Sequence, residues 1–178
     1  MDDALDALFA PVALPQDRLL DLPAITITVY GQAAPQGSKR HVGRGVMIES
    51  SKKVKPWRQD VKAAALTVIE TLPGWAPLDG PLSVSMTFAF ARPKGHFGTG
   101  RNADRLKPSA PPRPAGVPDL SKLVRSTEDA LTGSVWADDA RVVEYRRLGK
   151  HYVTSSALDV LSMPGCVIRV WQLPAAVA

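Results

Sequence analysis

The sequence predicts a small α+β domain, a mixed sheet with two main helices packed on it. Three observations carry this. Two segments, "AITITVYG" and "PLSVSMTFAF", place apolar residues at every second position. Two others, "KPWRQDVKAAALTVIETL" and "LSKLVRSTEDAL", repeat them at helical spacing. Two further segments, "RVVEYRRLGKHYV" and the apolar run "CVIRVWQL", then close the chain as strands. The order strand, strand, helix, strand, helix, strand, strand suits helices covering a sheet. A length of 178 residues favours one domain.

Residues 1–23 are acidic and proline-punctuated, with Leu5, Leu8, Phe9 and Val12 at helical spacing. They predict an arm or a short docking helix ahead of a domain over 24–174. In the first strand, Ile25, Ile27 and Val29 alternate with Thr26 and Thr28, which predicts one buried face. "QAAPQGSKRHVGRG" is a loop by its Gly, Pro and Ser content, and "VMIES" a short strand. In the first helix, Pro56 suits the opening turn. Trp57, Val61, Ala64, Ala65, Val68 and Leu72 form its apolar stripe, with Arg58 and Lys62 off it. In the next strand, Leu82, Val84, Met86, Phe88 and Phe90 share a face. Residues 91–118 are long, basic and rich in Pro and Gly. Such a loop inside a compact domain is either functional or disordered.

In the second helix, Leu120, Leu123, Val124, Thr127, Ala130 and Leu131 predict the buried side, and Ser121, Lys122, Arg125, Glu128 and Asp129 the polar side. Asp119 suits the N-cap, where its side chain can accept from free N–H groups, and Gly133 the C′ position. Arg125 and Asp129 have the spacing of an i,i+4 ion pair. The structural reading of these residues is therefore strong, and Asp138-Asp139 taken alone reads as a solvated turn.

Net charge is +5 and the pI about 9.6, which suits an anionic partner. Aromatic residues, at 6%, are too few for a base-stacking surface, and Trp57, Trp136 and Trp171 fit the core. The lone Cys166 excludes an intramolecular disulfide and a cysteine-based zinc site. No apolar run is long enough for a membrane span, and no basic region leads into a long apolar segment at the N-terminus, so a cytoplasmic protein is expected.

Taken together, "PDLSKL", "DALTG" and "WADDARVV" resemble the RusA family of Holliday-junction resolvases, closely over Pro118 to Arg146 and loosely over residues 24–172, where "APQGSKRHVGRG" and "KPWRQDV" are similar to that family's basic loop and first helix. The resemblance implies a dimeric endonuclease acting on branched DNA, four-way junctions above all. It also implies a Mg²⁺ site (Mn²⁺ as the alternative) and a bacterial host, with a phage or prophage origin. Carried over residue by residue, Asp119 matches the first carboxylate of the family's Asp-x-Asp. Asp139 matches the essential acid of the Asp-Asp turn, and Asp138 its neighbour. Arg125 stands where the family has a catalytic lysine.

Ser121 departs from the pattern by replacing the second Asp of Asp-x-Asp. A neutral hydroxyl is a far weaker Mg²⁺ ligand than a carboxylate. Three readings stay open. Asp119, Asp138 and Asp139 hold the metal, with Ser121 touching it through water; Glu144 or another acid substitutes; or the site is dead for cleavage and still binds DNA. Lys39, Arg40, His41, Arg44, Lys52, Lys53 and Lys55, with Lys122 of the second helix, are the expected DNA contacts. "QGSKR" lets backbone N–H groups approach phosphate there. Two other functions compete: a structure-specific DNA-binding protein that has lost cleavage, and a small interaction domain whose acids are only caps and turns.

Overall fold

The computed structural model describes residues 22–37, 39–41, 47–49 and 53–174, with the backbone alone described at 39–41 and 47–49. Residues 1–21, the expected arm or docking helix, therefore lie outside the described residues, as do Arg44 and Lys52.

Four strands form the main sheet: β1 (Ile25–Tyr30), β4 (Leu82–Phe90), β5 (Val142–Tyr152) and β6 (Gly165–Gln172), in the order β1-β6-β4-β5. β6 runs antiparallel to both β1 and β4, whereas β4 and β5 are parallel. Two helices, α1 (Val54–Ile69) and α2 (Leu120–Leu131), cover one face. β2 (Lys39–His41) and β3 (Met47–Glu49) pair separately as an antiparallel ribbon. The mixed α+β architecture is the expected one. The addition is β2, which lies inside a stretch read as loop, because three residues carry too little alternation to register.

Alternation sets which side of the sheet is dry. Ile25, Ile27 and Val29 of β1, Leu82, Val84, Met86 and Phe88 of β4, and Cys166, Ile168 and Val170 of β6 all point to the helices and are buried. Gly165 is dictated by the close approach of β6 to β1, since a Cβ there would meet the carbonyl oxygen of Val29 at 2.1 Å.

The helices meet through Trp57. Its ring is 1% exposed, and its Nε1–H donates to Thr127 Oγ1 at 3.1 Å, which itself donates to the Leu123 carbonyl at 2.9 Å. Trp57, Val61 and Ala65 are the buried stripe of α1, and Ala64, Val68 and Leu72 pack at its margin. Trp136 and Trp171 are buried as expected, and Cys166 lies in the core with its thiol pushed up by burial.

The 91–118 segment has neither long helix nor strand, yet it is pinned. Arg92 donates to Thr154 Oγ1 and the Pro111 carbonyl, Gly98 N–H to Arg105, and Lys107 N–H to His96. The Lys150 ammonium fastens its end, donating to the carbonyls of Gly116 and Pro118 at 2.7 Å each. That anchor fixes the residue before Asp119, and so the start of α2.

Candidate nuclease site

α2 presents two chemically distinct sides. Leu123, Val124, Thr127, Ala130 and Leu131 are buried as the periodicity predicts, with Leu120 packed at the margin. Ser126 is buried too, because its hydroxyl is satisfied internally by the carbonyls of Ala34 at 2.6 Å and Leu123 at 3.0 Å. On the open side, Ser121, Arg125 and Glu128 fall on one stripe by their spacing. Ser121 and Arg125 are exposed and Glu128 is half-buried.

Asp119 is the N-cap residue of α2, with extended backbone angles. Its side chain makes no capping hydrogen bond, which corrects the expected cap interaction. It pairs instead with Lys122 at 3.1 Å. Both line a depression of about 420 Å³ that also takes in Lys53, Gln32 and Phe90. The two ammonium groups on this depression are the groups there that can contact a phosphate.

The other acids come from the turn after α2. Gly133, at φ +80°, ends the helix as expected. Trp136, fully buried, then anchors the turn, with its Nε1–H donating to Thr132 Oγ1 at 3.2 Å. Leu78 and Ala137 stitch the turn to the 73–81 connection through backbone hydrogen bonds. Asp138 and Asp139 emerge into solvent directly beyond this anchor. Asp138 accepts from Ala140 N–H at 2.8 Å and caps the 3-10 turn Asp139–Arg141, so one of its oxygens has a structural partner. Asp139 has none of these ties.

Glu128, missed as a site residue in the sequence, completes this end. Tyr145 of β5 donates its hydroxyl to Glu128 Oε1. Burial is the main cause raising the Glu128 pKa, opposed by the Tyr145 hydrogen bond and reinforced by the negative charges of Asp139 and Asp129. Burial, the bond to Glu128 and the charge of Glu128 and Asp139 likewise push the Tyr145 phenol up. Asp139 and Glu128 therefore share one electrostatic neighbourhood. The clue in the sequence was the seven-residue spacing of Ser121 and Glu128, two helical turns on one face. The expected Arg125–Asp129 pair is replaced by a salt bridge from Arg58 of α1 to Asp129, and Arg125 is left without an ion pair among the described residues.

The three predicted acids thus divide between the two ends of α2. Asp119 lies about 14 Å along the helix axis from Glu128 by the rise of nine residues, while Asp138 and Asp139 sit in the turn beyond the other end. Glu144, weighed as a substitute ligand, accepts from Ser83 at 2.8 Å on the opposite face of the sheet. Among the described residues, no three His, Cys, Asp or Glu side chains converge as a metal cage. Mg²⁺ commonly takes one or two carboxylates plus water and substrate phosphate, and Asp139 beside Glu128 suits that sparser donor set. For the expected DNA contacts, Lys39, Arg40 and His41 lie on β2 with their side chains outside the described residues. Lys53 and Lys55 are exposed at the start of α1.

The burial of Glu128 has a measurable consequence. A raised carboxyl pKa means that ionisation disfavours the folded state, so its cost is absent at acid pH, grows as pH rises through the unfolded-state value, and is fully present above the folded one. Glu128→Gln, which still accepts from Tyr145, is expected to melt at higher temperature than the native protein at pH 7. The difference should vanish below about pH 4, near the unperturbed Glu value, in melting curves followed across pH.

The described residues thus place exposed carboxylates at the start of a helix and in the turn that follows it, with lysines beside the first of them. The RusA endodeoxyribonuclease family model matches residues 30–160, and the chain belongs to this family of DNA-cutting enzymes that act on branched junctions. No curated protein sequence matches it. Among the described residues, no helix is long and apolar enough to cross a membrane.

Proposed function

We propose that this chain is a Mg²⁺-dependent endonuclease that nicks four-way DNA junctions as a homodimer, with Asp139 as its principal acid. The observation that carries the reading is the exposed Asp139, its side chain without a hydrogen bond or ion pair among the described residues, in the turn after α2 of a RusA-family chain. Mg²⁺, or Mn²⁺ in its place, held by Asp139 with Glu128 beside it would activate water and neutralise phosphoryl charge. The Arg125 guanidinium stabilises negative charge on the phosphate, but it does not readily donate a proton to the leaving group. Lys122, oriented by its ion pair with Asp119, and Lys53 hold the phosphate backbone one helix length away, and Asp138 keeps the acidic turn in shape. A junction has near two-fold symmetry, and a two-fold dimer supplies two matched cuts. The same reading assigns the protein to the cytoplasm of a bacterial host, with a phage or prophage origin.

A second reading, a junction-binding protein that has lost cleavage, is favoured by Ser121 and by the lack of a three-acid group among the described residues. Ser121 decides between them. If the site is active, Ser121→Ala costs little, because the hydroxyl lies about 10 Å along the helix axis from Glu128 and water replaces any contact it makes, and Ser121→Asp preserves cleavage. Single-turnover cleavage measured against Mg²⁺ concentration reads both. A severe Ser121→Ala defect would show that the hydroxyl contacts the scissile phosphate or orients the attacking water.

For the ribbon, Lys39→Ala or Arg40→Ala is expected to weaken binding to all DNA shapes alike. Each lost phosphate contact lowers the slope of log K against log salt by about 0.9. An unchanged slope in a salt titration places β2 away from DNA.

A further inference from the structure

The helix-free face of the sheet carries a surface that the nuclease site does not use. Ser85 of β4 forms its floor, and Arg146 and Arg147 of β5 and Arg169 and Trp171 of β6 its walls, around a depression of about 420 Å³. Its charge is positive. Arg169 is held by Asp159 at 2.6 and 2.9 Å, and Arg146 lies over the Trp171 ring at 4.4 Å, with Glu144 at 3.9 Å. Arg147 has no ion pair among the described residues. His151, on the same face, has its pKa lowered by burial first and then by Arg113 and Arg147. The rim is apolar, with Leu158 63% and Leu22 58% exposed.

The chain itself enters here. Leu22 and Pro23 line the depression, and Ala24 N–H, donating to the Val170 carbonyl at 2.7 Å, fixes that entry. Residues 1–21, an acidic segment, are joined directly to Leu22, which lies at this depression. Their composition is the complement of the surface: five aspartates against one arginine, in a chain whose remaining residues hold 21 basic against 12 acidic. Leu5, Leu8, Phe9 and Val12 recur at helical spacing, the pattern of a segment with one apolar side.

We propose that residues 1–21 seat on this arginine-rich face of their own chain, apolar side against Leu158 and Leu22 and aspartates toward Arg147 and Arg146. Attachment at Leu22 makes the encounter intramolecular, so modest contacts suffice. The seated segment covers the exposed leucines and withdraws cationic surface from non-specific DNA, since binding of duplex phosphate there requires displacing the aspartates.

The test uses the full chain with a spin label on Ala4→Cys; Cys166 is fully buried and does not compete for the reagent. The expected spectrum shows a label restrained to the tumbling of the domain. Reversing the arm (Asp2→Lys, Asp3→Lys, Asp6→Lys) is expected to release it, with a severalfold fall in rotational correlation time, and so is Arg147→Glu, in protein whose circular dichroism is unchanged. Combining Arg147→Glu with the reversed arm restores restraint. A label that moves freely in the otherwise native chain, or one that neither reversal affects, overturns the proposal. Restraint that disappears on dilution also overturns it, by assigning the face to a second copy of the chain.

Discussion

Asp139→Asn is expected to reduce junction cleavage by about a thousandfold while leaving junction binding intact or stronger. The size follows from losing a charged group that acts in the transition state, worth several kcal/mol, with each 1.36 kcal/mol a factor of ten in rate. Asp139 is exposed, and among the described residues its side chain makes no hydrogen bond, its carbonyl alone accepting from Val142 N–H, so the fold should tolerate the change. Removing one negative charge from the DNA-facing surface lessens repulsion of phosphate, so affinity should hold or rise. Asp119→Asn, one helix length away and already paired with Lys122, should lower cleavage less. Single-turnover rates and binding isotherms on one labelled junction separate the two. Equal losses in both variants would mean that the two ends of α2 work on one phosphate.

The largest expected effect on stability is at Trp57. Trp57→Ala removes the ring that joins α1 to α2 and leaves a cavity under both helices. The cost is about 3–5 kcal/mol, a fall in melting temperature on the order of 10 °C. Trp57→Phe keeps a ring in the site but loses the hydrogen bond to Thr127 and part of the packed volume, for about 1–2 kcal/mol. Denaturant melts of the pair measure both losses. A small effect of Trp57→Ala would show that the helices hold to the sheet independently of each other.

The two variants probe features of unequal legibility in the sequence. The stripe containing Trp57 recurs often enough to mark one face of a helix, and the alternation in β1 and β4 marks the faces of the sheet equally well. β2 escaped because its three residues are hydrogen-bonded by a partner ribbon, and their own pattern says little. Ser126 reads as a surface residue by type. Only the Ala34 carbonyl, 92 positions away, makes it a core residue. Likewise, motif order put Asp119 at the start of α2 and Asp138 and Asp139 beyond its end, but it could not say how each end would be held. That depends on Lys150 fixing the entry to the helix and Trp136 fixing the exit. Glu128 stayed hidden because its significance comes from Tyr145, on a strand that reaches it only after folding. The Arg125–Asp129 spacing was satisfied locally, yet Arg58 of α1 takes Asp129, a tertiary contact that overrides a weak surface pair.

The most direct measurement is incubation of the purified protein with an end-labelled four-way junction, with and without Mg²⁺, and with Asp139→Asn alongside. Paired nicks that require the metal and vanish in the variant are the predicted result. Tight binding without nicking at any Mg²⁺ or Mn²⁺ concentration would contradict the assignment of a working nuclease site.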